Sequence, residues 1–580
     1  PVMTMIVGKD APLEQSISRM RADLTQLGFE IEEAHWMNPV PNVWSVHIRD
    51  RHCPMLFTNG KGATRDAALA SALGEFFERL SCNYFFADYF LGQKIANDTF
   101  VHYPQERWFP IDGDSLPEEL LDGPSLQHYS LNGELKPHQL IDTNAGIPSR
   151  GICAIPFTRQ KNGRQVWFPV NIVGNLYVSN GMAAGNTIWE ARVQALSEIF
   201  ERHIKNTILS SGITLPRIPD SVVQRYPKVT TALDCLRDQG LIVVVNDASL
   251  GSKFPLVNIS LLNPEDGGCY AAFGAHPKFE VALERAVTGL MQGRALDQLY
   301  DFPSPSFDIS EVADPHNLET HFIDSSGVVA WDLFSTATDY TFTEWNVEGD
   351  SKTEFDHLCH LIHRVDMDIY IADYEHLNFY TCRIIVPGMS EVYPVDDLVW
   401  NNNNAGLTIR DYCLRLGNLT PKECELLQEQ LEEDGFDDQQ RIAELAGIAA
   451  DSGSAFETLR VGELKCLLAL ARFDLESARE WSEWTLQFDR LHPVRKKLHR
   501  CLNHCLNFAL DQDRPLEQYQ PLLNELHGKE RLNRCMAMLN GEQIFNEFPD
   551  DSGNLDQFGT HSALLKAYQR VQDAKQKQAN

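Results

Sequence analysis

The chain has 580 residues, of which 43% are hydrophobic and 23% charged, a globular composition long enough for two to four domains. Its formal net charge of −31 argues against broad binding to a DNA or RNA phosphate backbone and is compatible with a basic protein or peptide partner. The 13 scattered cysteines fit reduced thiols in a cytoplasm, no apolar run is long enough to span a membrane, and residues 1–10 lack a signal-peptide pattern.

In chain order, a strand is expected at 43–48. A helix follows after Gly62-Ala63-Thr64, running through Ala68, Leu69 and Ala72 to Glu75-Phe76-Phe77-Glu78-Arg79. The next strand is expected at 166–173. A second copy of the helix then follows Gly185-Asn186-Thr187 and ends in Glu198-Ile199-Phe200-Glu201-Arg202. Gly62 to Gly185, Glu75 to Glu198 and Arg79 to Arg202 are each 123 positions apart. Strands at 241–245 and 256–261 precede a third, altered copy, offset by 214, which carries Arg285, Gly289 and Gln292 in place of Ser71, Glu75 and Glu78. Further strands are expected at 368–372 and 380–386. The asparagine-rich breaker at 401–406 ends the β signal. Helices are expected after it at 421–433, 438–448, 462–471, 475–488, 494–510, 516–526, 530–539 and 560–575, with a frayed end at 576–580. Residues 462–471 with 478–481 weakly match a tetratricopeptide helix pair, and a plain bundle fits as well. The fold class is therefore α+β: a duplicated mixed α/β domain at 1–400, then an all-α, tetratricopeptide-like domain at 401–580 that offers a homodimer or partner surface.

The repeats carry the chemistry. Positions three and four apart share a helix face, so each full copy presents two carboxylates and a guanidinium together. One Glu-x-x-Glu-Arg is most simply a solvated face with an ion pair. Two copies in matched surroundings would hold four carboxylates at one cleft, and like carboxylates at close range resist ionising. Divalent cations such as Mg²⁺ relieve that crowding. The third copy offers a cation and an amide, suited to phosphate, sugar or base contacts.

Gly60-Lys61-Gly62 followed by Ser71, Glu75, Glu78 and Arg79, the second copy with Asn186 and Glu190, the Arg285 segment and Val386-Pro387-Gly388-Met389 together resemble the YcaO family along essentially the whole chain. The resemblance implies a YcaO-type fold that binds ATP and Mg²⁺ at a site unlike the P-loop. Indeed Lys61 is not followed directly by Ser or Thr, as a Walker motif requires. By carry-over, Glu75, Glu78, Glu198 and Glu201 would hold Mg²⁺. Lys9, Ser16, Ser71, Asn186, Glu190, Arg202, Arg285 and Gln292 would contact the nucleotide. The catalytic group is left open. The implied activity is activation of a backbone amide, by phosphorylation or adenylation, on a peptide or ribosomal protein substrate. The implied setting is an accessory role, beside a methylthiotransferase, in methylthiolation of a small-subunit ribosomal protein.

Three departures shape this expectation, one of them Ala183 in Met182-Ala183-Ala184-Gly185, where a relative carries a serine, so that a hydroxyl contact would be lost although a backbone contact could persist. The chain ends in Lys575-Gln576-Lys577-Gln578-Ala579-Asn580 without the Pro-x-Pro-x-Pro tail of ring-forming relatives, which points away from azoline formation. Gly289 stands where relatives commonly carry a glutamate; it removes a carboxylate and weakens its helix by about 1 kcal/mol relative to alanine. Gly289 keeps open an alternative, an ATP-binding regulatory or partner-binding module with weak or no turnover. A metal-dependent hydrolase without ATP is a third reading, and the spacing of Arg285 and Gln292 speaks against it.

Two His/Cys clusters, at His357, Cys359, His360 and His363 and at His499, Cys501, His504 and Cys505, lack zinc-site spacing and read as structural helices. Trp481, Trp484 and Phe488 read as a core or interface stripe. The acidic run 432–438 reads as a solvated turn.

Overall fold

In the computed structural model, which describes residues 2–145, 147–396, 398, 404–550 and 554–580, three antiparallel sheets each deliver one strand into one long helix. The strands are β1 (Ile31–Val40), β2 (Val43–Asp50), β3 (Phe57–Gly62), β4 (Arg107–Phe109), β5 (Ile152–Arg159), β6 (Gln165–Pro169), β7 (Met182–Gly185), β8 (Ile242–Asp247), β9 (Leu256–Leu262), β10 (Cys269–Ala275), β11 (Tyr370–Tyr374) and β12 (Tyr380–Ile385). The sheet orders are β1-β2-β3, β10-β9-β8 and β4-β5-β11-β12-β7, with β6 paired to β5. Helix α1 (Leu13–Gln26) packs on α2 (Arg65–Ser81), which follows β3. Helix α3 (Ile188–Ser211) follows β7, and α4 (Phe279–Met291) follows β10. The third sequence copy is thus a complete strand–helix unit, equal in architecture to the other two.

Local chemistry explains the junctions. The hydroxyls of Thr64 and Thr187 accept from the Ala67 and Glu190 amides and cap α2 and α3, satisfying donors that a helix start leaves unpaired. Strand and helix then touch backbone to backbone. A Cβ on Gly60 would lie 2.1 Å from the Ala68 carbonyl oxygen, and one on Gly274 would lie 2.2 Å from that of Ala282. These pairs are the same positions, 214 apart. In the second unit Ala183 fills the place of Gly60, and the close approach that remains is at Gly185, where a Cβ would meet the Ala191 nitrogen at 2.6 Å, as one on Gly62 would meet the Ala68 nitrogen at 2.7 Å.

Several strands escaped the sequence pattern for a physical reason. Strands β7 and β10 read Met-Ala-Ala-Gly and Cys-Tyr-Ala-Ala-Phe-Gly-Ala, small residues without alternation, because a helix lies directly on them. The strand expected at 166–173 stops at Pro169, and Val170–Ile172 turns helical.

Helix α5 (Ser351–His363) precedes β11, and after β12 come, among other shorter helices, α6 (Pro421–Asp434), α7 (Val461–Ala471), α8 (Leu475–Thr485), α9 (Pro493–Leu510), α10 (Lys529–Leu539) and α11 (Gly559–Ala579). Residues 401–403 of the expected breaker lie outside the described residues. Helices α7 to α10 pack in succession around a leucine- and cysteine-rich core. Cys501 and Cys505 belong to that core, and buried His499 meets Glu463 at 3.1 Å beside Arg495, so this cluster is structural. Cys359 is likewise core. The tryptophan stripe is only partly buried: Phe488 is covered, while Trp484 is 42% exposed. The frayed end expected at 576–580 is helical to Ala579. It is held there because Leu564, Ala567, Tyr568 and Val571 share a core with Phe76 and Phe77 of α2, and Lys575 is buried. Among the described residues no helix is long and apolar enough to cross a membrane.

Gly60→Ala must push α2 off β3. It is expected to cost about 1–3 kcal/mol, read as a lower urea midpoint at unchanged slope.

Candidate nucleotide and metal site

The three strand–helix units converge on one cleft of about 1260 Å³, and all twelve residues singled out from the sequence line it. That exceeds a typical small-ligand pocket of about 300–1,000 Å³ and leaves room for a second reactant beside a nucleotide.

Helices α2 and α3 form the acidic side. Arg79 pairs with Glu75 at 2.6 Å and Arg202 with Glu198 at 3.0 Å, each one turn along its own helix. Glu78 and Glu201 line the same cleft. Burial raises the carboxyls of Glu75, Glu78 and Glu198 above their ordinary range. Glu78 is raised furthest, because Glu198 and Glu75 add repulsion to the burial. The donor set is therefore hard, oxygen-only and charge-frustrated, which suits Mg²⁺. Among the described residues, no three potential ligands are already gathered as a metal site. Glu75 and Glu198 are turned onto their own arginines and would have to swing from them to bind an ion.

Helix α4 forms the cationic side. Arg285 donates to the Ala275 carbonyl at 2.9 Å and to the Gln194 side chain. Gln194 occupies the position in α3 that Ser71 holds in α2 and Arg285 in α4. Gln292 donates to the Asn59 carbonyl at 3.0 Å. The Ser71 hydroxyl accepts from the Lys61 amide at 3.3 Å. Burial lowers the basicity of both Arg285 and Lys61. A Cβ on Gly289 would lie 3.3 Å from the Lys61 ammonium, so that ammonium occupies the place facing the missing third glutamate.

A third wall comes from the N-terminal segment. Lys9 lines the cleft. Ser16 donates to the Asn186 side chain at 2.7 Å. Asn186 in turn donates to Glu190 at 3.0 Å, and the Asp10 amide donates to Glu190 at 3.1 Å. Asp10 also accepts from the hydroxyls of Thr187 at 2.5 Å and Ser351 at 2.6 Å. One hydrogen-bonded knot thus ties the segment to the first turns of α3 and α5. Arg202 keeps one buried nitrogen without a partner among the described residues, a donor available to an anion in the cleft.

Sequence reasoning missed Lys61, Gln194 and Asp10. Lys61 enters the sequence pattern as part of Gly60-Lys61-Gly62 and as a lysine that fits no Walker motif, with no role assigned in the cleft. Gln194 could have been found by applying both offsets to Ser71. Asp10 carried no signal, because its partners are distant in the chain.

A family model described as YcaO cyclodehydratase, ATP- and Mg²⁺-binding, matches residues 59–390, and the YcaO cyclodehydratase C-terminal domain matches residues 406–577. The chain is 52% identical over 577 residues to the ribosomal protein S12 methylthiotransferase accessory factor YcaO of Escherichia coli, covering 99% of this chain and 98% of that protein. It is 49% identical over 581 residues to an uncharacterized protein of Haemophilus influenzae, covering 99% and 98%. Among solved structures it is similar to YcaO from Methanopyrus kandleri bound with AMPPCP and Mg²⁺, at 16% identity and a TM-score of 0.40, covering 66% of this chain and 92% of that one.

The raised carboxyls make a signed prediction. A carboxyl whose folded pKa lies above its unfolded value destabilises the fold as pH rises past the unfolded value, here 4.5, and does nothing below it. Glu78→Gln removes that penalty. Without ligand it is expected to raise the melting midpoint at pH 7.5 by about 1–3 °C, with the difference shrinking toward pH 4. Millimolar Mg²⁺ is expected to stabilise the wild type more than the variant, measured by differential scanning calorimetry.

Proposed function

The chain belongs to the YcaO family, described as ATP- and Mg²⁺-binding, and from that premise we propose that it activates a backbone amide with ATP, as an accessory factor in methylthiolation of ribosomal protein S12. The observation that carries this reading is the meeting of the paired acidic faces of α2 and α3 with Arg285 and Gln292 of α4 in one cleft. Glu75, Glu78, Glu198 and Glu201 would hold Mg²⁺. Lys9, Ser16, Ser71, Asn186, Glu190, Arg202, Arg285 and Gln292 would hold and orient the nucleotide. Bound Mg·ATP supplies the phosphoryl or adenylyl group that activates the amide oxygen.

The chain's own residues have defined tasks in this reading. Arg202 and Arg285 offset charge spreading over the transferred group, which is where most of the catalysis in phosphoryl transfer lies. The knot of Asp10, Asn186 and Glu190 keeps Lys9 and Ser16 at the cleft wall. The remaining volume of the cleft admits an extended peptide segment of the substrate. The helical region from 404 onward would serve as the surface for a methylthiotransferase or a ribosomal protein.

Gly289 supports a second reading, an ATP-binding module that acts through partners with little turnover, because its unit alone lacks the carboxylate found at Glu75 and Glu198.

Incubating the protein with ATP and Mg²⁺ and separating the nucleotides tests the first reading. Chelator-sensitive ADP or AMP is expected, and Glu78→Gln combined with Glu201→Gln should lower turnover at least about 100-fold; unchanged turnover in the double variant would sink the site assignment. Gly289→Glu distinguishes the second reading. Under the enzyme reading it changes turnover by less than about tenfold, because the new carboxylate mainly pairs with Lys61. A much larger gain would identify the natural chain as chiefly a binder.

A further inference from the structure

A second, smaller cavity of about 80 Å³ lies between the residues that follow α2, the strands β11 and β12, and the C-terminal helix α11. It holds several waters or one small molecule. Arg383 of β12 lines it and is 4% exposed. Its Nη2 donates to the Val173 carbonyl at 3.1 Å, and its buried Nε has no partner among the described residues. Its neighbours Cys82, Tyr374 and Tyr103 are kept neutral, since burial pushes the thiol up to about 12 and both phenols well above their ordinary value. A buried guanidinium facing neutral groups is costly unless an anion accompanies it.

A second donor points the same way. Asn83, just past the end of α2, has a left-handed backbone with φ 59°, which asparagine tolerates. Its side-chain oxygen accepts from the buried ammonium of Lys575 at 2.8 Å. That bond assigns the amide orientation, and it leaves the Asn83 Nδ2 buried without a partner among the described residues. Two carboxyl groups share the wall. Asp142 lies 3.5 Å from His102 and accepts from the Asn144 amide at 3.1 Å. Asp88 is pushed up by burial. Neither forms a salt bridge with Arg383 among the described residues.

We propose that this cavity is a binding site for a small planar oxyanion of the carboxylate class, held by the Arg383 guanidinium and the Asn83 amide. The planar fork of arginine matches two coplanar oxygens, and the volume suits a few heavy atoms. Tyr84 in its wall lies under the Arg79 guanidinium of the main cleft, 4.6 Å from ring centroid to cation.

Sodium formate is the probe, titrated into the full-length protein at constant ionic strength against sodium chloride. The wild type is expected to show a saturable rise in melting midpoint of about 3 °C that chloride does not reproduce. Arg383→Met should abolish the rise, and Arg202→Met, in the main cleft, should retain it. Should the methionine variant not fold, Arg383→Lys is expected to weaken formate binding at least about tenfold, and ¹³C-formate line broadening reads this directly. No saturable effect in the wild type overturns the proposal. So does an effect lost in Arg202→Met and kept in the Arg383 variants, which places the anion in the main cleft. ATP turnover enters neither measurement, so failure here is separable from failure of the proposed activity.

Discussion

Four carboxylates share one cleft with several cations, and the balance of charge there constrains much of the molecule. Repulsion alone would force protons onto the glutamates. The structure limits it locally, by turning Glu75 and Glu198 onto arginines of their own helices. Glu78 has no such pairing and carries the largest perturbation of the three raised carboxyls. This is a ground state stabilised by internal ion pairs that a divalent cation would replace. Carboxyls perturbed by burial and by like charges in a cleft are a recognised feature of functional sites.

Positioning those charges depends on contact between backbones. A helix can start where a strand ends only if the two pack closely, and the closest approaches occur at Gly60, Gly185 and Gly274. The same small-residue geometry appears three times, yet the polar positions diverge: Glu75 and Glu198 against Gly289, Ser71 and Gln194 against Arg285. Repetition supplies the frame, and divergence within it gives one cationic and two acidic walls. At Gly289 a charge of the opposite sign stands close by, since a Cβ there would lie 3.3 Å from the Lys61 ammonium.

The helical region is no simple appendage. Helix α11 shares a hydrophobic core with α2, the helix that carries Glu75 and Glu78. Lys575 on that helix bonds to Asn83 and the His102 carbonyl, so the end of the chain helps shape the small cavity around Arg383.

The repeated helices, the site residues on their faces and most of the later helices were legible in the sequence. A helix records its buried face at a period of 3.6, and a duplicated pattern records itself by a constant offset. Strands β1, β3, β4, β5, β7 and β10 were not among those expected from the sequence. Of these, β4 and β7 have only three and four residues, and β7 and β10 are rich in small residues under a helix, so they carry no alternation. The roles of Lys61, Gln194, Asp10 and Arg383 were equally hidden, because each depends on groups brought close only by folding. The sequence by itself determined which residue types could bind a metal and a nucleotide, since that follows from local spacing along helices. Only the tertiary structure decided how their charges are shared, because solvation and Coulomb interactions depend on distances across three sheets that no local pattern encodes.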